Sequence, residues 1–162
     1  MRLTLIRHGE AGDDAPRDED RALTKRGRAD GRRVGRAFAR RGVRFSAVVS
    51  SPLVRAVQTA EIVVSAMDQR LRVTISDALL PEARPQNVVT LLESLTDTDG
   101  ESVALVAHEP ILSRVAALLL GVPRFPPLRK SEALRIRLPD GPTHPGTTRW
   151  RIDPDTGRRR RV

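Results

Sequence analysis

Three short apolar runs constrain this chain more than any other feature: Leu3-Thr4-Leu5-Ile6, Ala47-Val48-Val49 and Val103-Ala104-Leu105-Val106-Ala107. None alternates strongly between polar and apolar positions. A strand of that kind is buried on both faces, which is the condition of a parallel sheet covered by helices. Each run is followed by a segment with helical spacing, so strands and helices alternate along the chain. The pattern predicts a three-layer α/β fold. A mostly parallel central sheet carries helices on both faces, and Leu71–Ile75 supplies a further strand. Ala133–Leu138 and Thr147–Ile152 read as a closing antiparallel pair of C-terminal strands.

The helices have recognisable ends. Thr24 is an N-cap residue for a helix through Arg41, stopped by Gly42. Gly27, Gly31, Val34, Gly35 and Phe38 form its inward stripe, while Arg28, Arg32, Arg36 and Arg40 occupy the other face. Ser51 is expected to cap a second helix, with Pro52 at its first position and the helix running to about Met67. Gln86–Leu95 and Ile111–Leu120 are two more helices, the last stopped by Gly121. Residues 11–21 and 76–85 read as loops. No repeat or linker interrupts the chain, so residues 1–157 are expected to form one domain and residues 158–162 a disordered basic tail.

Composition excludes several function classes. The chain has no cysteine, hence no disulfide, thiolate metal site or cysteine nucleophile. No apolar run approaches the ~20 residues of a membrane span, and the N-terminus reaches Arg7-His8 too soon for a signal peptide. A cytoplasmic protein without a membrane partner is expected. The 29 basic residues against 20 acidic ones give a net charge of +9, which favours acidic or phosphorylated partners. Aromatic residues make up 2%, poor material for base-stacking platforms, so no specific nucleic-acid partner is expected.

The chemistry collects at the carboxyl ends of the predicted parallel strands, where α/β sheets bind their ligands. The first strand ends in Arg7-His8-Gly9-Glu10, the second in Ser50-Ser51-Pro52 with Arg55 just beyond, and the fourth in Ala107-His108-Glu109-Pro110. Two histidines and two arginines therefore open onto one edge. Arginine forks match phosphate oxygens bidentately. A neutral imidazole is a nucleophile that carries a phosphoryl group covalently, and neighbouring guanidinium charges favour that neutral form. Gly9 permits close backbone approach at the turn. His144, among Pro142, Thr143, Pro145 and Gly146, reads as a bystander. The histidines lack the close spacing of a metal motif, so no metal or other cofactor is expected.

Leu5-Ile6-Arg7-His8-Gly9-Glu10 resembles the signature of the histidine phosphatase superfamily, the phosphoglycerate mutase-like proteins. Ser50–Ala60 is similar to the second block of that family, Val106–Pro110 to its third, and Leu23-Thr24-Lys25-Arg26-Gly27 to its linking segment. The resemblance implies that His8 is the phosphorylated nucleophile and that Arg7, Arg55 and His108 complete the phosphate pocket. Within the family, the short length and His108-Glu109-Pro110 resemble the SixA-type phosphohistidine phosphatases. Phosphoglycerate mutases are generally longer, and Ala11-Gly12-Asp13 replaces their usual continuation. The family's proton donor is usually an acid after the third strand, where Glu82 is the candidate, with Glu10 and Asp77 behind it.

The implied activity is metal-independent hydrolysis of a phosphorylated protein, foremost a phosphohistidine protein, through a phosphohistidine enzyme intermediate. A phosphatase for small phosphate esters is the second reading. A non-catalytic, arginine-rich module that binds acidic partners is the third.

Overall fold

The computed structural model describes residues 1–95 and 102–161. Its elements follow the alternation in the sequence: β1 (Arg2–Arg7), α1 (Lys25–Ala39), β2 (Ala47–Ser50), α2 (Val54–Ala66), β3 (Val73–Ile75), α3 (Pro85–Ser94), β4 (Ser102–Ala107), α4 (Ile111–Leu120), β5 (Ala133–Arg137), β6 (Thr147–Ile152) and β7 (Arg159–Arg160). Short 3-10 turns at Asp18–Asp20 and Asp77–Leu79 lie in the two segments read as loops. The sheet order is β3-β2-β4-β1-β5-β6-β7. β1 to β4 are mutually parallel, and β5, β6 and β7 continue the sheet by antiparallel pairing.

Successive residues of a strand point to opposite faces, and the core divides accordingly. Leu3, Leu5, Val103, Leu105 and Ala107 face one cluster, closed by Val88 and Leu92 of α3 and by Ile111, Leu112 and Val115 of α4. Ile6, Ala104 and Val106 face the other, closed by Val34 and Phe38 of α1 and by Ala56, Ala60 and Val63 of α2. All six residues of β4 are buried, as a strand covered on both faces requires.

Thr24 caps α1, its side chain accepting from the Gly27 amide, and Gly42 takes a left-handed φ of +63° two residues past the C-cap. The glycines of α1 permit contact rather than flexibility. A Cβ on Gly35 would stand 2.6 Å from the Val63 carbonyl oxygen and 2.7 Å from the Ala66 Cβ, both on α2.

Two expectations need correction. Ser51 does not cap α2: Leu53 is the N-cap and contributes no side-chain cap bond. The Ser51 hydroxyl is engaged by His108 instead. The basic tail is not detached either. Arg159–Arg160 pair with Arg151–Ile152 as an edge strand. Gly157, at φ +66°, turns the chain back, and its amide donates to the Asp153 carbonyl. Arg160 forms an ion pair with the buried Asp153 at 2.6 Å. The tail is held by backbone pairing and a carboxylate, so its lack of apolar anchors does not release it.

The tight α1–α2 contact makes a testable demand. Alanine gains helix propensity over glycine by about 1 kcal/mol, but Gly35→Ala must push α1 off α2. Overpacking of this kind typically costs about 1–3 kcal/mol. Urea denaturation should show a net loss of stability; an unchanged or higher midpoint would mean the two helices separate at no cost.

Candidate active site

The register of β1 on β4 decides what lies together. Arg2 pairs with Ser102, Thr4 with Ala104 and Ile6 with Val106. Continued by one step, the same offset sets His8 beside His108, and the His8 amide still donates to the Ala107 carbonyl at 2.9 Å. Neighbouring strands lie ~4.8 Å apart. The two imidazoles stand with ring centroids 4.9 Å apart and planes at 50°.

His8 Nδ1 lies 2.7 Å from the Gly9 carbonyl oxygen. A carbonyl only accepts, so Nδ1 carries the proton and donates. Nε2 is left with the lone pair. Burial, followed by the charges of Arg55, Arg7 and Lys130, lowers the His8 pKa to about 4, against a partial opposing effect of the Gly9 bond. His108 is lowered to about 3, first by burial and then by His8 and Arg55. Both rings are neutral at physiological pH.

The turn after β1 is packed tightly. A Cβ on Gly9 would lie 3.0 Å from the Gly27 carbonyl oxygen, 3.1 Å from Leu23 and 3.1 Å from the Ser131 hydroxyl. The Gly9 amide donates to Thr59 Oγ1 at 3.0 Å, and Thr59 donates to the Arg55 carbonyl at 2.7 Å. The turn that carries His8 is thereby tied to the first turns of α2.

The arginines are held by backbone carbonyls and one acid. Arg7 Nη1 donates to the Leu128 carbonyl at 2.7 Å. Glu109 fixes that carbonyl's strand of chain, accepting from the Leu128 amide at 2.8 Å and from Ser113 on α4. Arg55, nearly buried, donates through Nη1 to the Asp18 carbonyl at 2.7 Å and through Nη2 to the Asp18 carboxylate at 2.9 Å. Hydrogen bonds from Arg21 and Arg55 lower the Asp18 pKa.

The pocket also contains buried polar atoms without partners: Arg7 Nε, His108 Nδ1 and the Ser131 hydroxyl. His108 Nε2 faces Ser51 Oγ at 2.8 Å. With the serine donating there, the His108 proton sits on the unpartnered Nδ1. Unpaired buried donors are rare in folded proteins, and here they lie among the charges of Arg7 and Arg55. An oxyanion has the acceptors that such donors lack.

The four residues expected at the strand ends lie together: the His8 and His108 rings stand 4.9 Å apart, and the charges of Arg7 and Arg55 act on both. Glu82 is placed otherwise. It is exposed, and among the described residues it makes no hydrogen bond or ion pair. It lines a groove of about 580 Å³ with Pro52, Leu53, Asp18 and Asp20, next to the Arg55–Asp18 pair. His144 lies apart, bonded to the Asp140 carbonyl and Thr143. Sequence reasoning did not find Asp18, Thr59 or Lys130. Thr59 was detectable, since it follows Arg55 by four residues on one helix face. Asp18 and Lys130 carry no local signal, because they reach the site only through the folding of two loops.

Among the described residues no group of three or more His, Asp or Glu is placed to hold a metal ion. Neutral imidazoles beside fixed guanidinium groups make a first prediction for the site. In an NMR titration, His8 and His108 should stay neutral down to about pH 5 and protonate near 4 and 3. Both pKa values are depressed from 6.5. The unfolded chain therefore takes up protons first, and stability should fall as pH drops from 6.5 toward those values. A ring titrating near 6.5 would show that it is solvated.

Comparison with known proteins agrees with this geometry. The sequence model of the histidine phosphatase superfamily (branch 1) matches residues 3–80. The phosphohistidine phosphatase SixA of Escherichia coli (strain K12) is 30% identical over 158 residues, covering 95% of this chain and 94% of that protein. The mitochondrial serine/threonine-protein phosphatase Pgam5 of Drosophila persimilis is 35% identical over 83 residues, 51% of this chain but only 29% of that protein. A solved structure of the protein histidine phosphatase SixA complexed with tungstate superposes with a TM-score of 0.88 at 27% identity, covering 96% of this chain and 98% of that one. With its two histidines and two arginines gathered at one sheet edge, the chain belongs to the histidine phosphatase superfamily and is a homologue of SixA.

Proposed function

We propose that the protein is a phosphohistidine phosphatase acting on phosphorylated proteins, with His8 as the nucleophile. The observation that carries this reading is the tautomer of His8: its Nδ1 proton is committed to the Gly9 carbonyl at 2.7 Å, so Nε2 offers its lone pair. Homology to SixA over almost the whole chain supports the substrate class.

The reaction runs in two steps. His8 Nε2 attacks the phosphorus of the substrate; a new P–N bond forms, and the bond to the leaving imidazole breaks. Water then attacks the phosphorus of phospho-His8, breaking the P–N bond and releasing phosphate. Its proton leaves to solvent or a nearby base. Arg7, Arg55 and the Nδ1–H of His108 bind the equatorial oxygens in both steps, where positive charge placed in advance lowers the barrier. Lys130, whose charge acts on His8, adds to the same field. No step calls on a metal. A cytoplasmic setting belongs to the same reading, and the cysteine-free chain needs no oxidising compartment to fold.

His8→Ala should abolish turnover of a phosphohistidine protein. In the wild type, quenched turnover of labelled substrate should leave label on His8. Label on His108 and none on His8 would reverse the two roles. Tungstate should compete with substrate.

Glu82 is the proposed proton donor for poor leaving groups; it lines a groove with Asp18, the partner of Arg55. Imidazole leaves readily without an acid, whereas an alkoxide does not. General acid help is typically ~10²–10⁴-fold where it is needed. Glu82→Gln should therefore depress hydrolysis of an alkyl phosphate by at least about tenfold and phosphohistidine hydrolysis little. Equal small effects on both substrates would leave Glu82 a solvated carboxylate.

A further inference from the structure

The end of β1 opposite the histidines carries a second cationic pocket. β1, β5 and β6 run side by side, with Thr4 opposite Arg135 and Arg135 opposite Trp150. Two residues farther out, and therefore on the same face, Arg2 stands directly opposite Arg137. The register of β5 on β6 jumps between Arg135 and Ile136, so Arg149 is the unpaired residue of a bulge. Together with Trp150, these arginines line a cavity of about 570 Å³. That lies within the range of small-molecule sites, ~300–1,000 Å³.

Arg135 is the unusual member. It is 7% exposed, yet among the described residues its guanidinium donates only to two neutral hydroxyls, Thr4 Oγ1 at 2.6 Å and Ser102 Oγ at 3.0 Å. Its carbon lies 5.8 Å from the centre of the Trp150 ring. Among the described residues no carboxylate pairs with Arg135, Arg137 or Arg149. Burial, then the charge of Arg2, pulls the Arg135 pKa down to about 10, and the group stays charged at neutral pH. A buried charge without a counter-ion is costly. A polyanion bound beside Arg135 removes that cost.

We propose that this pocket is a binding site for an oligophosphate chain, the chemistry shared by inorganic tripolyphosphate and the tail of a nucleoside triphosphate. Several arginine forks at one cavity suit successive phosphate groups. The Trp150 ring, half-buried against Phe38 at 6.1 Å, offers an aromatic face that a nucleobase can use. Along β1, at ~3.3 Å per residue, the level of Arg135 lies about 13 Å and that of Arg2 about 20 Å from His8, so this pocket is distinct from the site at His8.

Trp150 is the only tryptophan, which makes its fluorescence a local reporter. The full-length protein is titrated at constant ionic strength with tripolyphosphate, with a nucleoside triphosphate and with orthophosphate. We expect a saturable change with the first two and at least tenfold weaker binding of orthophosphate. Arg137→Ala and Arg149→Ala, both exposed, should each weaken tripolyphosphate binding several-fold while p-nitrophenyl phosphate turnover stays unchanged. Tighter binding of the nucleotide than of tripolyphosphate would assign the base to Trp150; equal binding would assign free oligophosphate. His8→Ala should bind as the wild type does. A response that fails to saturate, or that survives in the Arg137→Ala/Arg149→Ala double variant, or that disappears in His8→Ala, would overturn the proposal.

Discussion

The pairing of β1 with β4 is the constraint on which the rest of the molecule depends. The two strands come from distant parts of the chain and align with Arg7 opposite Ala107. Side-chain direction in a strand has a period of two, so a slip by one residue would turn a histidine to the opposite face. The apolar sets on the two faces of these strands forbid that slip. Leu3, Leu5, Val103, Leu105 and Ala107 belong under α3 and α4, and Ile6, Ala104 and Val106 under α1 and α2. Burial of the core thus sets the 4.9 Å separation of the His8 and His108 rings.

The surroundings then define what each group can do. Burial makes His8 neutral, and a single carbonyl chooses its tautomer. Arg55 is oriented by Asp18, a residue whose own side chain is 65% exposed. Arg55 is itself buried and also holds the Asp18 backbone carbonyl, whereas the half-buried Arg7 holds the Leu128 carbonyl. Arg7 answers to Leu128, and Leu128 to Glu109. Glu109 follows His108 directly in the chain. One junction after β4 therefore places the second histidine and, through a loop, the first arginine.

The sequence made the alternating fold legible because its strands are unbroken apolar runs, and the site legible because its residues follow those runs immediately. His8 and His108 needed only the rule that parallel strands open at one edge. The Ser51 cap failed for an instructive reason: a serine before a proline satisfies the local rule, but a histidine 57 residues away takes its hydroxyl. Tertiary hydrogen bonding outcompeted a local preference of ~1 kcal/mol. The tail failed similarly. Four consecutive arginines predict repulsion and disorder, but Asp153 accepts one of them and the backbone pairs with β6. Asp18 and Lys130 were beyond reach, since both depend on where loops return.

Arginine is used in two distinct ways along β1 and its neighbours, and the difference is energetic. At the surface, Arg17 meets Glu19 and Arg129 meets Asp155, and exposed pairs of this sort contribute little, ~0–1 kcal/mol. Arg7 and the buried Arg135, near the two ends of β1, instead have carbonyl and hydroxyl oxygens as their hydrogen-bond partners. Carbonyl and hydroxyl dipoles orient a cation without neutralising it, so the charge remains available to a ligand. A carboxylate in the same position would have stabilised the free protein more and bound phosphate less. Arg55 lies between these cases, because its acid is solvent-exposed and is shared with Arg21. The positive field at His8 is thus maintained at the expense of folding stability, as expected where a site, rather than the fold, decides the residue.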